Sequence, residues 1–282
     1  MIKKYLFIIA LILLTFSSCN KPPKMNNSIL ERNMKLKLIS KYLKNDLSKY
    51  NSFKIFIHNN EDTVYSYDIM GDKAIDDWKI LRKITDETGF YPIILGESDQ
   101  LDFSNPSLMK GDSLCTNSQL LRKGMSLNPK DLFKEWVEDD PEYYAIEKGE
   151  WAANPYVKNN IRIPYNLVNG KPLKVNILLI PTKKSYEVPS ILKFGGWNYC
   201  PFPEEQISIL KYWYDKYGAE LVAIDNDTIE MIVKKLPTDR EEAIKLAKEQ
   251  IYYCPDRKQD FDTLLKLASS LMVSNYWYFW WD

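Results

Sequence analysis

Apolar positions recur along this chain at two spacings, one helical and one alternating, and together they predict a succession of helices and strands. Residues 28–47 carry Leu30, Met34, Leu38, Tyr42 and Leu43 at helical spacing, which predicts an amphipathic helix. Phe53–Ile57 and Thr63–Ile69 alternate as strands. Asn59-Asn60-Glu61-Asp62 between them supplies turn residues, so a hairpin is expected. A helix over 73–88 turns Trp78, Leu81, Ile84 and Thr85 inward and stops at Gly89, where a left-handed residue suits a helix end. Tyr91–Leu95 reads as a strand. Residues 97–128 are rich in Ser, Asn, Asp and Gly, and read as an irregular excursion containing Cys115.

Asn128-Pro129 opens a short helix, Asn as cap and Pro in the first turn, with Leu132, Phe133, Trp136 and Val137 as its apolar face. The acidic stretch from Glu135 to Glu150 reads first as a solvated face, with a cation or partner site as the sharper alternative. Val175–Ile180 and Ser190–Phe194 are expected as strands. A helix follows from Pro203 to Tyr217, with Glu204 and Glu205 at its positive end and Ile207, Leu210, Trp213 or Tyr214, and Tyr217 along one side. Glu220–Ile224 and Thr228–Val233 flank Asp225-Asn226-Asp227, a second hairpin. Thr238 and Glu241 form a capping box for a helix to Tyr253, and another helix spans about 260–273. The terminal run from Asn275 to Asp282 is ring-rich and expected to be a buried closing strand.

A faint internal echo aligns Ile80-Leu81, Gly89 and Ile93-Ile94-Leu95 with Ile209-Leu210, Gly218 and Val222-Ala223-Ile224. The pattern as a whole predicts an α+β fold, a mixed or antiparallel sheet with helices packed on it. Two similar α/β halves sharing one sheet are a fair inference from the echo. Region boundaries are expected at 28–160 for an N-terminal α/β part and 161–282 for a C-terminal α+β domain.

The N-terminus changes the picture. Lys3 and Lys4 precede an apolar run from Tyr5 to Phe16, about a dozen residues, short of the roughly 20 that a membrane-spanning helix needs. Phe16-Ser17-Ser18-Cys19 resembles the lipobox of bacterial lipoproteins, with Phe where Leu is usual. That resemblance implies cleavage of residues 1–18, a diacylglycerol on the Cys19 sulfur and acylation of the new N-terminus, which suffices for stable anchoring. Residues 19–27, with Pro22-Pro23, read as a flexible tether. The expected location is the cell envelope, on the inner or outer membrane of a Gram-negative bacterium.

Composition then removes whole classes. In 282 residues the hydrophobic fraction is 45% and the charged fraction 27%, ordinary for a globular protein. The formal net charge is zero, which argues against nucleic acid as a partner. Eight Trp, 19 Tyr and 11 Phe are read as a core built from large rings, with an aromatic ligand platform as the alternative. With one histidine, His58, and no C-x-x-C spacing, a Cys/His zinc site is not expected, nor is a cofactor.

Candidate chemistry centres on Cys200, which follows a Gly-Gly-Trp turn just before a helix N-terminus, a position that favours a thiolate. Three readings stay open: a small buried thiol, a Cys200–Cys254 disulfide permitted by export, and a reactive or redox thiol. Asp225 and Asp227 could bind a cation or act as paired carboxylates, although turn chemistry accounts for them. Trp197 and Asn198 join these two as a candidate binding surface. No P-loop, G-x-S-x-G or H-E-x-x-H is present.

Three stretches carry a family resemblance: Gly196-Trp197-Asn198-Tyr199-Cys200-Pro201, then Tyr212 through Val222, and Tyr253-Cys254-Pro255-Asp256 with the terminal Trp277 to Asp282. Together they resemble the bacterial family called domain of unknown function 4253. Thr88 through Gly96 resembles the upstream part of its longer members. Members mostly look cytosolic, so the leader is a departure of this chain. The resemblance implies a shared fold and no known activity. Two functions from different classes are therefore expected as alternatives: a non-catalytic binding or protein-interaction module of the envelope, of immunity or accessory type, or a thiol-dependent or redox envelope enzyme using Cys200.

Overall fold

The computed structural model describes residues 27–43, 53–96 and 115–282. The leader, Cys19 and nearly all of the tether lie outside the described residues, as do residues 97–114 of the expected excursion. The described residues form an α+β fold around one seven-stranded mixed sheet.

In chain order, α1 (Asn27–Tyr42) is followed by the hairpin β1 (Lys54–His58) and β2 (Thr63–Met70), then α2 (Gly71–Lys83), α3 (Thr85–Thr88) and β3 (Tyr91–Leu95). Next come α4 (Asn117–Ser126), α5 (Pro129–Asp139) and α6 (Pro141–Tyr144). A strap over residues 145–173 has no helix or strand. Beyond it lie β4 (Lys174–Ile180), α7 (Val188–Leu192), α8 (Pro203–Tyr217), β5 (Glu220–Ile224) and β6 (Thr228–Ile232). The chain ends with α9 (Arg240–Tyr253), α10 (Arg257–Asp260), α11 (Leu264–Leu271) and β7 (Tyr276–Trp280).

The sheet order is β1-β2-β4-β3-β5-β6-β7. Neighbours are antiparallel throughout except β3 and β5, which run parallel at the centre. The internal echo lands here. Ile94 pairs with Ala223 and Leu95 with Ile224, the same register as the sequence alignment. Gly89 (φ 73°) and Gly218 (φ 60°) both hold the left-handed conformation that turns each preceding helix into its strand.

The strand β7 shows why its rings differ in role. Trp277, Phe279 and the following Trp281 are at most 1% exposed, whereas Tyr276, Tyr278 and Trp280 are half-buried. Alternation sends the first set into the core and the second to the opposite face. Trp213 of α8 stacks on Phe279 at 5.6 Å and meets Trp277 and Tyr253 edge-on at 5.4 and 5.0 Å. Full burial of rings of this size contributes about 2–3 kcal/mol each.

Several elements depart from expectation. Ser190–Phe194 is not a strand: Pro189 sits in the first turn of α7, and Lys193 ends it in the left-handed region. Every residue of α7 is buried, so its apolar run carries no helical stripe. Residues 117–126, expected to be irregular, form α4, opened by a Thr116–Gln119 capping box. On α1 the buried positions are Leu36, Ile39 and Ser40, with Leu43 just past its end, while Met34 is 67% exposed. Of the expected stripe Leu43 is buried, whereas Leu30, Met34 and Tyr42 are exposed; α1 contacts α2 and α3. The cap of α9 is Asp239, whose carboxylate accepts from the Glu242 N–H at 2.9 Å, one residue beyond Thr238. The helix expected over about 260–273 is the shorter α11, Leu264–Leu271, and the four-residue α10 precedes it.

Candidate functional site

The face of the sheet opposite Trp277 and Phe279 carries Glu230 in the middle of β6, paired across the ladder with Tyr278. On a strand reading Thr-Ile-Glu-Met-Ile, alternation puts Ile229 and Met231 in the core and turns Glu230 the other way. The strap covers it. Glu230 Oε2 accepts from the backbone N–H groups of Arg162 (2.7 Å) and Ile163 (2.8 Å), and Lys158 Nζ lies 2.9 Å from Oε1. Both side chains of that pair are buried.

The strap is held along its length. Leu264 and Leu265 N–H at the start of α11 donate to the Glu147 and Lys148 carbonyls. Ser270 Oγ donates to the Tyr156 carbonyl at 2.7 Å, and Ser274 Oγ accepts from the Lys158 N–H at 3.0 Å. Between strap, β7, α10 and α11 lies a cleft of about 460 Å³. Its floor includes Lys158, Arg257, Ser270 and Ser274, its walls Tyr276, Tyr278, Phe261 and Leu271, and its mouth Tyr156, Arg162 and Lys266. The size falls in the range of small-ligand sites.

Charge is concentrated here. Lys158 Nζ stands 5.0 Å above the Tyr278 ring. Burial pulls the Lys158 ammonium below its ordinary value, with Glu230 opposing. Arg257 donates to Asp260 Oδ2 at 3.1 Å and to Gln250 Oε1 at 3.3 Å, while its Nε has no hydrogen-bond partner among the described residues. Burial lowers its pKa as well. Burial lifts the Tyr278 hydroxyl to about 12, so it stays protonated at neutral pH.

None of Lys158, Arg162, Glu230 and Arg257 was a candidate from sequence. The one available signal was Glu230, an acid centred on an otherwise apolar strand.

The residues singled out from sequence sit elsewhere, around the corner before α8. Gly195 (φ 119°) lets the chain fold back so tightly that a Cβ there would lie 2.1 Å from the Pro201 carbonyl oxygen. Cys200 is buried against Gln206, whose Nε2 is 3.4 Å from the sulfur. Burial pushes the Cys200 thiol well above its ordinary value, with the nearby Cys254 adding to the effect. Burial therefore favours the small buried thiol over the reactive thiolate among the three readings, desolvation outweighing the helix N-terminus. Cys254 donates to the Trp280 carbonyl at 3.0 Å, and burial lifts its thiol to about 12. Cys200 and Cys254 are both buried free thiols, so of the three readings left open the Cys200–Cys254 disulfide is not formed here.

Asp227 accepts from Trp280 Nε1 at 3.0 Å and from Thr228 Oγ1 at 2.8 Å, and its carbonyl accepts from the Trp281 N–H. Asp225 Oδ1 accepts from the Asn226 N–H at 2.8 Å. Both therefore shape the β5–β6 turn, and Asp227 also fastens the end of β7. Asn198, in the left-handed region, donates to the Asp282 carbonyl, and Trp197 meets Phe194 edge-on at 4.8 Å. His58 shares a hydrogen bond with Thr63 Oγ1 at 2.8 Å on the exposed hairpin. Among the described residues no cluster of three or more His, Cys, Asp or Glu side chains could hold a metal ion, and no helix is long and apolar enough to cross a membrane.

Residues 176–282 match the family model of DUF4253, a domain of unknown function. The matched segment supplies Arg257, Tyr276 and Tyr278 to the cleft and Glu230 beneath Lys158, whereas Lys158 and Arg162 arrive on the strap that precedes it. No curated protein and no solved structure matches the chain.

Proposed function

We propose that this protein is a lipid-anchored binding module of the bacterial cell envelope, non-catalytic, which recognises its partner or ligand at the Lys158–Glu230 cleft. The observation that carries the binding role is the convergence of Lys158, Arg162, Arg257 and Lys266 with three tyrosines on one concave site. The anchoring role rests on Lys3 and Lys4, the short apolar run and Phe16-Ser17-Ser18-Cys19. The alternative, a thiol enzyme at Cys200, needs a thiolate where burial opposes one.

The test combines location and recognition. Cys19→Ala is expected to move the protein from the membrane to the soluble fraction. Ala152→Trp, which places an indole in the cleft, is expected to abolish in-cell crosslinking to the partner while anchoring persists. Membrane retention of Cys19→Ala overturns the anchor, and unchanged crosslinking of Ala152→Trp overturns the cleft as recognition site.

A further inference from the structure

The carboxylates around the cleft are engaged, and the cations are not all matched. Glu230 is closed off by two backbone N–H groups and Lys158. Asp260 pairs with Arg257 at 3.1 Å, and Asp262 with Lys266 at 2.8 Å. Arg162, exposed at the mouth, has no ion pair among the described residues. Its backbone N–H, not its guanidinium, is what holds the strap to Glu230. Arg257 is 6% exposed and keeps an unpartnered Nε beside the cleft. A bound cation would meet this surplus positive charge with no free carboxylate to receive it. Beside these charges stand the rings of Tyr276, Tyr278 and Phe261 with Leu271, while Asn154, Ser270 and Ser274 add neutral polar groups to the lining.

We infer that the cleft receives a small organic anion with a flat apolar body. Its charged group sits among Lys158, Arg162 and Arg257, and its body lies against Tyr276, Tyr278 and Phe261. This assignment rests on the cleft being the recognition site and names what it recognises. A volume of about 460 Å³ suits a whole small molecule. Guanidinium and ammonium donors to a carboxylate or phosphate form the strong, charge-assisted class of hydrogen bond.

The experiment is calorimetric titration of the detergent-solubilised full chain with phenyl phosphate, inorganic phosphate, phenol and benzylamine. Phenyl phosphate is expected to bind about tenfold or more tighter than phenol or inorganic phosphate, and benzylamine not to bind. Arg162→Ala removes only an exposed side chain, so it is expected to weaken phenyl phosphate by about tenfold at unchanged melting temperature. Equal binding of phenol and phenyl phosphate, indifferent to Arg162→Ala, overturns the anion assignment and leaves a recognition cleft. Binding that survives both Arg162→Ala and Ala152→Trp is surface adsorption and overturns the assignment. Absence of binding by all four probes also overturns it, and the crosslinking of Ala152→Trp then reports separately on the cleft. Loss of a protein partner in Arg162→Ala without phenyl phosphate binding reassigns the site to an acidic side chain of that partner.

Discussion

Lys158 on the strap and Glu230 on β6 form a buried ion pair, Nζ to Oε1 at 2.9 Å, which binds a segment without regular structure to the centre of a sheet strand. Breaking one partner of such a pair strands the other charge in a desolvated site. Glu230→Gln is therefore expected to destabilise the fold by about 3 kcal/mol, read from urea unfolding at pH 7. Adding Lys158→Met to that variant is expected to recover part of the loss, since no buried charge then remains. A double variant as unstable as the single one would show that the backbone bonds from Arg162 and Ile163, and not the ion pair, hold the strap.

Trp213 is the hub of the ring cluster between α8, α9 and β7, fully buried and donating from Nε1 to Glu249 Oε2 at 3.2 Å. Trp213→Ala is expected to cost about 4 kcal/mol, through lost burial and the cavity left behind. Trp213→Phe is expected to cost about 2 kcal/mol, because it keeps a ring but leaves Glu249 short of a donor. Chemical denaturation with a tryptophan-independent readout such as far-ultraviolet dichroism checks both.

Cys200 and Cys254 are 4% and 0% exposed, with thiols raised by burial. Thiolate is the reacting form, so labelling by iodoacetamide at pH 7.5 is expected to be slow at both in the native protein and fast after unfolding. Cys115, half-buried, is expected to label first. Mass mapping of the labelled peptides over time decides the order, and early modification of Cys200 would contradict its burial.

Glu242 in the first turn of α9 accepts from the Thr238 N–H at 2.8 Å and pairs with Lys216 at 2.9 Å. The Thr238 backbone bond, followed by Lys216, lowers its pKa from 4.5 to about 2. A depressed folded-state pKa means that the unfolded chain takes up the proton first on acidification. The contribution is complete above about pH 4.5 and is lost as pH falls towards 2. Glu242→Gln is expected to lower stability slightly at pH 7, by about 0.5 kcal/mol given solvent screening, and to flatten the acid limb over that window. Melting temperatures of both proteins from pH 2 to 7 test the sign.

Much of the fold was legible because local chemistry and tertiary packing agreed. Trp78, Leu81, Ile84 and Thr85 are all buried as their spacing predicts, although the helix expected over 73–88 is divided at Ile84 into α2 and α3. Gly89 and Gly218 were placed as helix stops, and the echo they punctuate became the pairing of β3 with β5. Reading failed where packing overrode pattern. α7 is buried all round, so Pro189 was a better guide than its apolar run. α1 buries Leu36 and Ile39 where the stripe predicted Leu30 and Met34, and it keeps Leu43 of that stripe buried just past its end.

By itself the sequence determined the periodic elements, their caps and the ring-rich closing strand, because spacing along a chain dictates which side chains share a face. The ion pair of Lys158 with Glu230 and the placement of Arg162 and Arg257 around one cleft were decided only by the tertiary structure. Lys158 and Arg162 lie on a strap with no periodicity, and their partner lies on a distant strand. Nothing local announces a charge pair that forms only when the strap closes over the sheet. The same holds for Cys200: its position before a helix suggested a thiolate, and the surrounding core, which no local pattern encodes, desolvated it.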